Sequence, residues 1–273
     1  MYKKLFALGA ALVLSLSVCA CGGKTPAQPL SDALPTTTAA ETVTTEPTTQ
    51  PETTEVPAEQ TAPVNDPAAM EAFRNALNKI RSDSAWPNGD KIELWEPGSF
   101  DEEQFAVADI DADGAPELLI SVSNTYMAGM CEAAYGYDPA TGSLHLESQV
   151  FPGGVYYPGL IKAMASHNQG YAGDVLWPYG ILSYDDQKDA YDDTCYVDAW
   201  SRELSDTDYD GNPYPADIDR DHDGYVYLIT QNGEQKTLNR TDYEAWEKGM
   251  FEGRQEIFIP WQKMTEENVN KLG

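Results

Sequence analysis

Residues 105–120 read FAVADIDADGAPELLI. Apolar runs flank an acidic turn, so strands are expected over Phe105–Ile110 and Glu117–Ser123. Between them Asp109, Asp111 and Asp113 alternate and run into Gly114, with Glu117 following. A hard cation such as Ca²⁺ takes six to eight oxygens, and alternate residues of a short loop can supply them. Asp109, Asp111 and Asp113 would be the first, third and fifth ligands. The backbone carbonyl of Ala115 would come next, and Glu117 would ligate directly or through water. The twelfth position is Ile120, where an EF-hand needs a bidentate glutamate, and the flanks are strand-like. The stretch therefore reads as a structural calcium loop between two strands. Aspartates also favour plain turns by bonding their own backbone, but three carboxylates in one turn repel one another unless a cation sits among them.

A second acidic stretch, SDTDYDGNPYPADIDRDHDGYVYL, offers two registers. One starts at Asp206, Asp208, Asp210 and Gly211 and is broken by Pro213 and Pro215. The other, Asp219, Asp221, Asp223 and Gly224, directly precedes the apolar run YVYLIT and is favoured for an ion. A solvated acidic loop is the alternative.

Around these loops the pattern is that of an α+β fold with a largely antiparallel β-sheet, an N-terminal helix and C-terminal helices. Asn65-Asp66-Pro67 offers a cap and a first-turn proline. Met70, Phe73, Leu77 and Ile80 then recur at helical spacing, which predicts a helix from 67 to about 82. A hairpin is expected over 131–149, turning at Pro139–Gly142, with further strands near Leu160–Met164, Gly180–Tyr184 and Tyr225–Thr230. The last of these turns at Gln231-Asn232-Gly233. Thr241-Asp242-Tyr243-Glu244 reads as a capping box opening a helix to about Phe251. Gln255–Trp261 reads as a strand, and Thr265–Leu272 as a closing helix.

The first residues are of another kind. Lys3 and Lys4 precede the apolar run LFALGAALVLSLSV, the length of a signal-peptide core and too short for a spanning helix. The run ends at Val18-Cys19-Ala20-Cys21, which resembles the lipobox of bacterial lipoproteins; Cys21, preceded by the small Ala20, is the better lipidation site. The resemblance implies a signal peptide over 1–20 and a lipidated N-terminus at Cys21. It also implies anchorage to the extracytoplasmic face of the bacterial cell membrane. Residues 21–66 are dominated by Thr, Pro, Glu and Ala, a composition that cannot bury a core and reads as a disordered tether. As a flexible coil it would span roughly 35–40 Å on average. Residues 67–273 are then the extracellular α+β domain.

With Cys19 removed and Cys21 lipidated, Cys131 and Cys195 remain. A disulfide between them would add about 4 kcal/mol through chain entropy, and two buried free thiols are the alternative. The 45 Asp and Glu residues against 17 Lys and Arg give a net charge of −28, which repels nucleic acid and anionic headgroups. Membrane attachment must then come from the lipid.

FAVADIDADGAPELLI, GYDPATGSLHL and the C-terminal stretch ending IPWQKMTEENV together resemble a group of uncharacterised surface lipoproteins of Gram-positive anaerobes. Members pair a "DIDGDGxPELI"-type segment with a "PW-x-x-T-E-E-N"-type segment. The resemblance covers most of 67–273 and implies no activity. Ala112 and Ala115 stand here where glycine or another residue is often seen, with the aspartates intact.

No nucleophile motif or phosphate-binding glycine loop is present. None of His145, His167 and His222 has a His or Cys three or four residues away, so spacing supports no zinc site. Tyr156, Tyr157, Tyr171, Trp177, Tyr179 and Trp200 lie in Gly- and Asn-rich stretches, where rings either stack on a ligand or fill the core. The expectation is a calcium-stabilised binding or accessory domain for a cell-wall glycan or peptide. The alternative is a secreted cell-wall or polysaccharide hydrolase using paired carboxylates.

Overall fold

Asp66 caps α1 (Pro67–Asp83), its carboxylate accepting the Ala68 N–H at 2.9 Å. The apolar stripe of α1 puts Phe73, Leu77 and Ile80 out of contact with water, each burial stabilising the fold by about 1.5–3 kcal/mol. A computed structural model describes residues 66–95, 98–168 and 171–272, all within the unit Ala58–Gly273. Cys21, the signal segment and the tether up to residue 65 lie outside the described residues.

Among the described residues, eleven strands form two antiparallel sheets. The first holds β1 (Gln104–Ala108), β2 (Glu117–Val122), β3 (Cys131–Asp138) and β4 (Ser143–Val150) in sequence order, with the two-residue β11 (Gln262–Lys263) on the β1 edge. The second is a meander of β5 (Val155–Tyr157), β6 (Leu160–Met164), β7 (Tyr179–Asp185), β8 (Ala190–Ser201), β9 (Tyr225–Gln231) and β10 (Glu234–Leu238). Helices α2 (Arg240–Phe251) and α3 (Glu266–Asn270) complete the α+β fold.

Alternation along the strands sorts side chains into layers. Phe105, Leu118, Ile120, Ala133 and Tyr135 pack under α1 and α3. Ala106, Leu119 and Ala134 point the other way and meet Ile161, Ala163 and Leu182 of the second sheet. Tyr179, Ile181, Val197, Tyr227 and Ile229 face Tyr243 of α2. The order of layers is helix, sheet, sheet, helix. Strand β2 is buried at every position because it is covered on both faces.

Three local expectations are corrected. Helix α2 begins at Arg240, capped by Asn239, which accepts the Asp242 N–H at 3.1 Å, so Thr241 lies inside the first turn rather than at the cap. Residues 255–261 form no strand; Ile257 donates one backbone bond to Tyr156 at 2.8 Å and packs between the sheets. The disulfide is not formed. Cys131 packs under α1 and Cys195 under α2, on opposite outer faces of the two sheets, and both are free and buried. Of the six aromatics, Tyr156, Tyr179 and Trp200 are core, while Trp177 is exposed.

Candidate metal centre

The aspartate loop joins β1 to β2 and its own aspartates shape it. Asp109 accepts the N–H of Ala112 at 2.7 Å and of Gly114 at 3.1 Å, and Asp111 accepts that of Asp113 at 2.9 Å. These bonds drive Ala112 to φ 70° and Gly114 to φ 95°, a region that disfavours a Cβ by about 1–2 kcal/mol. Glu117, the first residue of β2, is 2% exposed and reaches back to accept the Ile110 N–H at 2.7 Å. Ligand oxygens of Asp109, Asp111 and Glu117 thereby lie within 4.8 Å of one another. Asp113, a fourth expected ligand, is exposed and stands outside this group, accepting the Ala115 N–H at 2.6 Å.

Tertiary structure adds groups that the loop pattern did not announce. Pairing of β3 with β4 steps from Ala134–Ser148 to Tyr135–Leu146, leaving Glu147 as the extra residue of a bulge, and bulges re-aim side chains. Glu147 is 4% exposed and its Oε2 has no hydrogen-bond partner. From the second sheet come Tyr184 and Tyr191, packed in the layer between the sheets, and Asp189 of the β7–β8 turn. The Tyr191 hydroxyl, also buried, has no partner.

The field in this cluster is strongly negative. Burial first, then the Glu147 charge, pushes the Glu117 carboxyl far above the usual carboxylate range; burial and Asp111 do the same to Glu147. Burial pushes Asp111 up to about 6, against its Asp113 backbone bond. At the spacing of this cluster two full charges repel by about 3–4 kcal/mol at an effective dielectric of about 20. Among the described residues, no Lys or Arg forms an ion pair with Asp109, Asp111, Asp113, Glu117 or Glu147.

The loop at 219–224 makes the comparison sharp, because it is the same turn. Gly224 donates to Asp219 at 3.1 Å, Tyr225 to Asp223 at 2.9 Å, and His222 and Gly224 sit at φ 55° and 80°. Its charges, however, are spent on the protein. Arg240 pairs with Asp223, and both oxygens of Asp221 accept from Thr241, N–H and hydroxyl, at 3.0 Å. The Thr241 backbone N–H holds the Asp221 carboxyl below its usual range. In the other register Asp208 is consumed by Asp210 and Asn212, at 2.7–3.0 Å, and Asp206 pairs with Arg202. Of the acidic loops, that of Asp109, Asp111 and Glu117 has carboxylates left to hold a cation.

A separate cavity of about 420 Å³ opens on the second sheet. Asp198 and Trp200 of β8 face away from α2, and here a loop, not the first sheet, covers them; its Tyr214 and Ile218 pack on Trp200. Tyr171 and Tyr209 stack with ring centroids 4.7 Å apart beside Trp200, and Gln235 and Thr237 also line the cavity. Comparison of the chain with protein-family models, with curated proteins and with solved structures gives no match in any of the three.

Proposed function

We propose that the chain is a lipid-anchored protein of the extracytoplasmic membrane face, one of the surface-lipoprotein group it resembles. Its folded domain is a calcium-stabilised binding or accessory module. The observation that carries the reading is the convergence of Asp109, Asp111 and Glu117 beside the buried Glu147, with no Lys or Arg among the described residues paired to them. An oxygen-only, multiply charged cluster suits Ca²⁺ over softer ions. The ligand surface is the aromatic cavity. Tyr171 and Tyr209 offer ring faces, and Asp198, Gln235 and Thr237 line the same cavity with hydrogen-bonding groups, the combination that holds a sugar ring by stacking and by its hydroxyls.

Calorimetric titration of the metal-free chain with Ca²⁺ should find one site near the extracellular range of about 10⁻⁴–10⁻³ M, and Asp111→Asn should remove it. Absence of binding in the wild type refutes the calcium reading. A glycan and peptide array then tests the cavity, with Tyr171→Ala as the control. A hydrolase is the second reading, favoured by Asp198 and Asp210 lining the same cavity, with burial raising the Asp198 carboxyl. Release of reducing ends from a bound glycan, lost in Asp198→Asn, would decide for it.

A further inference from the structure

We infer that His145, Glu147 and Asp189 form a second divalent-cation site, beside the aspartate loop and suited to a borderline transition ion such as Zn²⁺. It uses residues other than the loop aspartates and stands whether or not the loop takes calcium. One ligand atom from each of the three lies within 4.8 Å of the others. Asp189 Oδ2 is 3.0 Å and Glu147 Oε1 is 3.6 Å from His145 Nε2.

A protonated histidine between two carboxylates would be the ordinary explanation, but then Nε2–H should donate to one of them. Nε2 is out of contact with solvent, and although Asp189 Oδ2 is 3.0 Å away, neither carboxylate lies in the direction an Nε2–H hydrogen bond needs. Glu147, with its side chain 2% exposed, likewise leaves Oε2 without a donor. Buried polar atoms are nearly always partnered, and each orphan costs about 1–3 kcal/mol. The Tyr191 hydroxyl is a third orphan, in a residue 8% exposed. A cation on Nε2 and Oε2, with a water reaching the tyrosine, satisfies all three.

The surroundings are built to match. Gly136 stands opposite His145, and a Cβ there would fall 2.1 Å from Glu147 Oε1 and 2.6 Å from His145 Cε1. The Tyr184 hydroxyl donates to Asp189 Oδ1 at 2.6 Å, leaving Oδ2 for the site, the outer-shell support usual for metal carboxylates. One imidazole nitrogen and two carboxylates suit Zn²⁺, with a fourth position left for water. Because Asp189 belongs to the second sheet and the other two to the first, the ion would tie the sheets together.

The test is Zn²⁺ binding to the full chain, in competition with a chromophoric chelator and under saturating Ca²⁺, with Co²⁺ absorption as a second readout. One Zn²⁺ per chain is expected. His145→Ala should weaken it by about tenfold or more and remove the Co²⁺ bands. His145 is partly exposed, so this variant should keep its fold by circular dichroism. Gly136→Ala should weaken binding similarly, and Asp109→Asn should leave Zn²⁺ in place. The inference is overturned if no stoichiometric Zn²⁺ binds, or if binding survives His145→Ala. Loss of Zn²⁺ in Asp109→Asn with retention in His145→Ala would also overturn it, by placing the ion in the aspartate loop.

Discussion

Replacing Asp109 by Asn separates the two acidic loops. Asp109 gives one oxygen to Ala112 N–H and the other to Gly114 N–H. Asn keeps one acceptor, so the turn still forms while a ligand charge is lost. Asp219→Asn makes the same kind of change in the twin turn, where Asp219 accepts from Gly224, the counterpart of Gly114, and from Asp223. At a Ca²⁺ concentration about 100 times the dissociation constant, linkage stabilises the native state by about 2.7 kcal/mol. For a domain of this size that is about 5–10 °C in melting temperature. Wild type and Asp219→Asn should therefore melt about 5–10 °C higher in Ca²⁺ than in chelator, and Asp109→Asn should show little shift. The shift should also grow with pH. Without metal, burial holds the Asp111 carboxyl at about 6, above its ordinary value of 3.8. It therefore opposes folding as pH rises from about 4 through 6, and a bound cation removes that penalty by displacing the proton. Calorimetric melts with and without Ca²⁺ measure this. Equal loss of the shift in both variants, or no shift in wild type, refutes the assignment of roles to the two turns.

Glu103 is 3% exposed, and its carboxylate accepts from Ser123 N–H at 2.7 Å and Asn124 N–H at 3.0 Å. Glu103→Ala should destabilise the domain by about 2–4 kcal/mol in urea unfolding, and Glu103→Gln by less; a change below about 0.5 kcal/mol would contradict the role of these bonds. Thiol titration of the denatured lipidated chain without reductant should count two reactive cysteines, Cys131 and Cys195, and a count of zero would mean they are bridged after all. Cys21→Ala should move the protein from the membrane to the soluble fraction, whereas retention would refute lipidation at that residue.

Local signals carried most of the element list. The 3.6-residue stripe of α1 and the strand at Leu160–Met164 lie where periodicity put them, and the β3–β4 and β9–β10 hairpins turn at the marked glycines. The twelve-residue β8 was missed. Asp192, Asp193 and Asp198 dilute its apolar run, and the bulge opposite Ile181 and Leu182 breaks its alternation. Residues 255–261 show the reverse error. Ile257 is buried, and Ile259 and Trp261 partly so, by packing between the sheets while Phe258 stays exposed, and a strand-like pattern cannot distinguish such packing from pairing.

The sequence by itself determined that the D-x-D-x-D-G turns at 109–114 and 219–224 would form, since each is closed by hydrogen bonds within a few residues and by a glycine at positive φ. It did not determine which turn would be left negative. That was decided by side chains from elsewhere: Arg240 and Thr241 fold against the second turn, while Glu147 is buried beside the first and Tyr191 and Asp189 come to it from the second sheet. Turn chemistry acts over a few residues and can be read along the chain. Charge compensation acts across space, through partners that only sheet pairing and layer packing bring together.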